Sequence, residues 1–274
     1  MVALKDYSRL CVHTITTRPW SIEMATKLFA HIGIKGITVW RNALENKNIK
    51  QTGQLIRDQG MDIVSLCRGG FFPSVDISKR NQAIDENRRV IEEASILGAP
   101  LIVLVCGADP NQSLQDSRSQ ISDGILSILP EAQAAGVKLA IEPLHPMYAG
   151  DRSAINTLKQ ANDMASEINS DHVGVALDVY HIWWDPDLET EIQRSGSMDK
   201  IFAFHVCDWK LNTGDLLNDR GLMGEGCIPI RDIRSQVDEA GYNGFIEVEI
   251  FSNFYWSQDQ EEYLSQIKQA YLHC

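Results

Sequence analysis

Four short apolar segments in the second half of the chain each end in, or close to, an acidic or imidazole side chain. These four side chains are Glu142, Asp178, His205 and Glu249. Three carboxylates and one imidazole supply oxygen and nitrogen ligands, which suit manganese, cobalt, magnesium or zinc. Buried carboxylates that lie together repel one another and take up protons unless a cation binds between them. The residue types therefore predict a site for one divalent metal ion, provided that the fold brings these segments together.

Eight such apolar segments alternate with longer segments of helical periodicity. The predicted strands are Leu10–Ile15, Gly36–Trp40, Asp62–Cys67, Leu101–Cys106, Val137–Ile141, Val173–Leu177, Ile201–Val206 and Phe245–Ile250. Short and continuously apolar strands are typical of a parallel sheet that is covered by helices. Eight β-α units fit a closed barrel better than an open sheet. We therefore expect one (β/α)8 TIM barrel over residues 1–274, with no linker and no second domain.

Start and stop signals for helices lie between these strands. Ser21, Ser153 and Asp185 are residue types that cap helix N-termini, and Pro186 follows as a favourable first helical residue. Glycines that favour a left-handed backbone follow five helical segments, at positions 33, 60, 98, 136 and 241. No glycine-rich phosphate loop of the Rossmann or Walker type follows any strand.

A barrel predicts where chemistry takes place, because functional side chains lie at the C-terminal ends of its strands. Neighbouring strands are about 5 Å apart, so the four proposed ligands can converge on one point. Two positions before three of them, facing the same side, the chain has Ala140, Ala176 and Ala203. The eighth strand offers both Glu247 and Glu249, and we favour Glu249 as the ligand because it is nearer the mouth. Glu247 either contacts the proposed ligands without binding the metal itself, or is a buried, hydrogen-bonded acid.

Other polar and aromatic side chains near the strand ends are candidates for substrate binding. They are His13, Trp40, Arg68, His145, Arg152, His181 and Glu225. Arg68 precedes two glycines and could bind a hydroxyl, carboxylate or phosphate of a substrate, or pair with a carboxylate of the metal site. Trp40 offers an aromatic face that packs on sugar carbons. The candidates of the first two strands could instead pack in the core, and those in loops could lie at the surface.

The composition of the chain argues against several classes of binding partner and location. The formal net charge is −12 and is spread along the chain, with no basic run, so nucleic acid and membrane surfaces are unfavourable partners. No apolar stretch is long enough to span a bilayer, and the start of the sequence lacks a secretory signal. The six cysteines form no CxxC pair. We therefore expect a cytoplasmic protein without disulfides.

The order and spacing of these motifs resemble the xylose isomerase-like TIM-barrel superfamily, which includes sugar phosphate isomerases and epimerases and the AP endonuclease family 2. The resemblance covers nearly the whole chain. It rests on Glu142, on Asp178-Val-Tyr-His181, on His205-Val-Cys-Asp208, on Gly224-Glu225-Gly226 and on Gly241-Tyr-Asn-Gly before Glu249.

The resemblance implies roles for individual residues. In ketose 3-epimerases and in members similar to hydroxypyruvate isomerase, the residues matching Glu142, Asp178, His205 and Glu249 bind one divalent metal ion. The two matching glutamates also act as an acid and base pair, and the residue matching His181 contacts the substrate. A small sugar, keto-sugar or sugar phosphate would then react by proton transfer through a cis-enediolate. A dimer or tetramer is also implied.

Three alternatives remain. Loss of a β-hydroxyl would make the protein a dehydratase, as in relatives that resemble inosose dehydratase. A barrel that binds sugar without turnover is a second alternative. The endonuclease branch is the third, but it requires further histidines at positions where this chain has Cys67-Arg68, Cys106 and Gly221.

Overall fold

The computed structural model describes residues 4–274, which form a closed barrel of parallel strands. The strands are β1 (Leu10–His13), β2 (Gly36–Trp40), β3 (Asp62–Gly70), β4 (Leu101–Val105), β5 (Lys138–Glu142), β6 (Val173–Asp178), β7 (Ile201–Val206) and β8 (Ile246–Val248). The strands pair in chain order, and β8 closes the barrel against β1. The predicted (β/α)8 TIM barrel is confirmed.

Helices connect the strands and cover the outside of the barrel. They are α1 (Ile22–His31), α2 (Ile49–Asp58), α3 (Ile77–Leu97), α4 (Leu114–Ala135), α5 (Leu158–Ile168), α6 (Val179–Ile182), α7 (Leu188–Ser197), α8 (Ile230–Glu239), α9 (Asn253–Trp256) and α10 (Gln260–Tyr271). No helix within residues 4–274 has both the length and the apolar content needed to cross a membrane.

All eight predicted strands exist, but some of their ends differ from the prediction. The third strand runs on to Gly70 because Gly69 and Gly70 continue the pairing with β4 after a shift of register. The eighth strand is shorter than predicted because the backbone N–H of Ile250 donates to the hydroxyl of Thr16 instead of a neighbouring strand. The apolar pattern locates a strand well, whereas hydrogen bonds to loops decide where it ends.

The predicted helix starts were correct in one case and wrong in two. Ser21 caps α1 as expected. Ser153 does not start a helix, because its hydroxyl bonds within its own loop, and α5 is capped by Thr157. Asp185 accepts a hydrogen bond from the backbone N–H of Asp187, so α7 begins later than predicted. All five glycines expected to end helices have a positive φ.

Apolar side chains pack on both faces of the barrel strands. The outward faces pack against the helices in one large core. A smaller cluster inside the barrel contains Cys67, Leu101, Val103 and the three alanines at positions 140, 176 and 203. Because these alanines are small, the layer directly beneath the strand ends leaves space for larger polar side chains above it.

Gly70 provides a test of how tightly β3 and β4 are packed. Its φ is +107°, and a Cβ at this position would overlap the backbone carbonyl of Val105. We expect Gly70→Ala to lower the free energy of unfolding by about 2–5 kcal/mol through overpacking and a strained φ. Gly33→Ala is the matched control, since Gly33 has a φ of +83° and open space around it. Denaturant titration should show a loss of only about 1 kcal/mol there, and equal losses would contradict this account.

Candidate metal centre

Four consecutive strands bring the predicted ligands to one end of the barrel. Glu142 and Asp178 are the last residues of β5 and β6, His205 lies in β7 beside Asp178, and Glu249 directly follows β8. The four side chains are at most 5% exposed. One ligand atom from each lies within 4.8 Å of the others, so the expected convergence is present. Their role as metal ligands stays a prediction.

Several buried polar atoms of this cluster have no hydrogen-bond partner among residues 4–274. They include Oε1 of Glu142 and both ring nitrogens of His205. Glu142 Oε1 and His205 Nδ1 are 3.2 Å apart, but without hydrogen-bond geometry. Buried polar groups without partners are rare because they cost free energy. A cation between Glu142 Oε1 and His205 Nδ1 would satisfy both of these atoms, so the donor set fits a divalent metal ion.

Burial and mutual repulsion perturb the protonation of the cluster. Burial, together with the charges of Glu249 and Glu142, raises the pKa of Asp178 to about 7. Burial lowers the pKa of His205, but the surrounding carboxylates outweigh it and raise that pKa to about 10. In the absence of metal, protons therefore provide part of the positive charge that the carboxylates require.

A second group of polar side chains lies immediately beneath Glu249. Glu247 is fully buried, and its Oε2 accepts hydrogen bonds from the hydroxyl of Thr38 (2.6 Å) and from His13 Nε2 (3.0 Å). His13 Nδ1 lies 3.0 Å from Glu249 Oε1. Glu247 is thus a buried, hydrogen-bonded acid, one of the two possibilities left open by the sequence. His13 is also fully buried, and it contacts Glu249 from behind and is not among the residues that line the cavity.

Arg220 is a central residue of the site that sequence reasoning missed. Its Nη1 lies 2.9 Å from both Asp178 Oδ2 and Glu249 Oε2. Its Nη2 lies 3.2 Å from His181 Nε2, and the guanidinium stacks on Tyr180. Only 3% of this arginine is exposed. The sequence carried little signal for it, because a charged residue in a long polar loop is usually solvent-exposed.

A cavity of about 130 Å³ opens above the carboxylates. Among its lining residues are Trp40, Arg68, Glu142, Arg152, His181, Arg220 and Glu249. Four of the residues predicted to bind substrate are therefore at this cavity. Burial and the charge of Arg220 lower the pKa of His181, which keeps its ring neutral. With Nε2 accepting from Arg220, the tautomer has its proton on Nδ1, a buried atom without a hydrogen-bond partner.

Two other predicted substrate-binding residues lie elsewhere. Glu225 Oε1 accepts from the hydroxyl of Tyr255 and its Oε2 accepts from the N–H of Leu222, so this carboxylate stabilises a turn outside the cavity. His145 Nδ1 accepts from the N–H of Met147 at the start of a short 3-10 helix. That turn directs the loop after β5 so that Arg152, and not His145, lines the cavity.

Comparison with known proteins identifies the family to which this chain belongs. Residues 27–269 match the family described as xylose isomerase-like TIM barrel. The chain therefore belongs to the xylose isomerase-like TIM barrel family.

Individual relatives are similar over most of their length. An inosose isomerase of Bacillus subtilis (strain 168) is 28% identical over 205 residues, which cover 73% of this chain and 71% of that protein. The crystal structure of protein SMc04130 from Sinorhizobium meliloti 1021 is 42% identical, with a TM-score of 0.94, and covers 98% of this chain and 99% of that one. The crystal structure of an IolI protein with a bound zinc atom is 22% identical, with a TM-score of 0.85 and 97% coverage of both chains, which shows the shared fold.

The raised pKa values of two proposed ligands predict that metal binding depends on pH. His205 (about 10) and Asp178 (about 7) must both lose a proton before they can bind a cation. We expect the affinity for Mn²⁺ to rise about tenfold per pH unit between pH 7 and 9, and more steeply below pH 7, where a second proton must leave. Isothermal titration calorimetry in buffers of different ionisation enthalpy measures the protons released.

His205→Asn is the control for this titration, because it removes the proton-binding imidazole. Its metal affinity should be lower and should vary less between pH 7 and 9. An affinity of the unmodified protein that does not change over this range would show that His205 is not protonated in the metal-free state.

Proposed function

We propose that this protein is a divalent-metal-dependent isomerase or epimerase of a small sugar, keto-sugar or sugar phosphate. The observation that carries the proposal is the pair Glu142 and Glu249, two buried carboxylates that face one cavity and belong to a set of metal-ligand type. Membership of the xylose isomerase-like family and similarity to inosose isomerases support it. An IolI protein with the same fold binds zinc, which supports a metal-dependent reaction.

One divalent ion, manganese, cobalt, magnesium or zinc, would be held by Glu142, Asp178, His205 and Glu249. When bound, it would supply Lewis-acid polarisation of a substrate carbonyl and would offset the negative charge of an enediolate. His13 and Arg220 hold Glu249 in place from two sides, through 3.0 Å and 2.9 Å contacts to its two oxygens. The carboxylate therefore keeps one orientation, which is a requirement for proton transfer at a fixed distance.

Glu142 and Glu249 come from β5 and β8, which are separated by two strands around the barrel. The two carboxylates can therefore approach a substrate in the cavity from different directions. One glutamate removes the proton next to the carbonyl and gives a cis-enediolate. Return of a proton from the other glutamate on the opposite face inverts the carbon and completes an epimerisation. Return to the neighbouring carbon interconverts ketose and aldose.

Other side chains of the cavity would position the substrate. The neutral ring of His181 offers an unpartnered N–H, and Arg220 offers N–H groups beside it, so both can donate to substrate oxygens. The face of Trp40 is available to the carbons of a sugar. Loss of a β-hydroxyl after the first proton transfer would make the enzyme a dehydratase: a protonated glutamate would return its proton to the departing oxygen, so that water leaves, and the His181 N–H could hydrogen-bond to that oxygen.

The proposal predicts exchange of a carbon-bound hydrogen with solvent. Incubation of the Mn²⁺-loaded protein with ketoses and inososes in D₂O should introduce deuterium next to the carbonyl, as followed by NMR. Glu142→Gln, which keeps an oxygen donor but cannot take a proton, should reduce this exchange by about 10²–10⁴-fold. Glu225→Gln is the matched control, because this glutamate lies outside the cavity, and it should leave the rate unchanged.

The products separate the possible reactions. A new stereocentre or aldose indicates epimerase or isomerase activity, whereas a new enone absorbance indicates a dehydratase. Substrate binding without any exchange or turnover, unchanged in Glu142→Gln, would show a non-catalytic sugar-binding barrel and would overturn the proposal.

A further inference from the structure

Two arginines on the wall of the cavity have no acidic side chain closer than 4.0 Å among residues 4–274. Arg68 makes no side-chain hydrogen bond or ion pair there, and its guanidinium stacks on the ring of Phe71 at 4.2 Å. Arg152 has Asp151 as its nearest acidic neighbour, with 4.0 Å between Nε and Oδ2, and its guanidinium lies 5.5 Å from the ring of Tyr148. Both side chains are only partly exposed.

Two neighbouring arginines, in contrast, each contact two carboxylates. Arg220 bonds to Asp178 and Glu249, and Arg41 bonds to Glu93 and Glu86. The chain has 37 acidic residues and 25 basic ones, so carboxylates are not scarce. Arg68 and Arg152 therefore present two guanidinium groups to one cavity with no carboxylate closer than 4.0 Å among residues 4–274.

The two charges are also close enough to affect each other. Burial and the charge of Arg152 lower the pKa of Arg68. Holding like charges together in a partly buried place costs free energy unless an anion offsets them. Guanidinium groups bind carboxylate and phosphate oxygens through paired N–H donors, and this geometry suits both anions.

We infer that the substrate carries an anionic group, a carboxylate or a phosphate, which Arg68 and Arg152 bind. This inference rests on the proposed function, because it places the reacting carbons of the same molecule at Glu142 and Glu249. All four residues line one cavity. A second cavity of about 370 Å³ shares Trp40 and Arg68 with it and leaves room for the distal part of the molecule.

Three probes of similar size separate the possible ligands. D-Fructose is uncharged, D-fructose 6-phosphate carries a phosphate, and 5-keto-D-gluconate carries a carboxylate. Calorimetry with the Mn²⁺-loaded protein should show that at least one of the two anions binds tenfold or more tightly than D-fructose. The better of the two identifies the anionic group.

Two variants and one control test the residues. Arg68→Met and Arg152→Met should each weaken binding of the preferred anion by tenfold or more and leave D-fructose binding unchanged. Arg68→Lys should restore part of the affinity, and thermal unfolding followed by circular dichroism checks that each variant is folded. Arg231→Met is the control, because Arg231 lies outside both cavities and its Nε donates to the backbone carbonyl of His273, and its loss should change affinity less than twofold.

The outcomes distinguish this inference from the proposed function. It is overturned if neither anion binds better than D-fructose, or if Arg68→Met and Arg152→Met lose no more affinity than Arg231→Met. If deuterium enters D-fructose and Glu142→Gln abolishes that exchange, but neither anion binds better than D-fructose, this inference fails while the proposed function stands. If the anions bind through both arginines but no C–H exchange follows, the proposed function fails while the anion site stands.

Discussion

Concentrated negative charge in a space that excludes water is the constraint on which the rest of this site depends. Glu142, Asp178, Glu247 and Glu249 are all nearly inaccessible to solvent. Buried carboxylates cannot all stay ionised without positive charge nearby. Arg220 supplies one such charge, in contact with both Asp178 and Glu249. The barrel therefore places its polar groups as one connected network rather than as separate side chains.

The network has two levels along the barrel axis. At the mouth, the proposed ligands keep several atoms without partners. One level below, Glu247 is held by His13 and the Thr38 hydroxyl, which in turn contacts Ser65. Groups that support ligands from behind fix their orientation and tune their basicity. The lower level thus gives rigidity, while the upper level retains the free atoms that chemistry requires.

The residues proposed for chemistry and those proposed for substrate recognition come from different parts of the chain. The proposed ligands belong to β5 to β8, whereas Trp40 and Arg68 come from the ends of β2 and β3 and Arg152 from the loop after β5. Strand ends are rigid because each is paired on both sides, and loops can vary without disturbing the barrel. Among barrels of this fold, the arginines on this cavity are therefore the residues that we propose select the substrate.

The sequence alone determined the fold and the proposed ligand set. Apolar segments at regular intervals locate strands because each strand is buried on both faces, and polar residues at strand ends stand out against them. Closure of the barrel then follows from the number of β-α units. For the same reason, Glu142, Asp178, His205 and Glu249 could be expected to converge before any coordinates were considered.

Only the tertiary structure decided which loop residues reach the cavity. Arg220, in the loop after β7, bonds to residues of β6 and of the segment after β8, and no local pattern records contacts between such distant segments. The glycine turn around Glu225 looked functional, but Tyr255, thirty positions away, fixes that carboxylate outside the cavity. Periodicity follows from repeated burial along one element, whereas the path of a loop is set by single long-range hydrogen bonds.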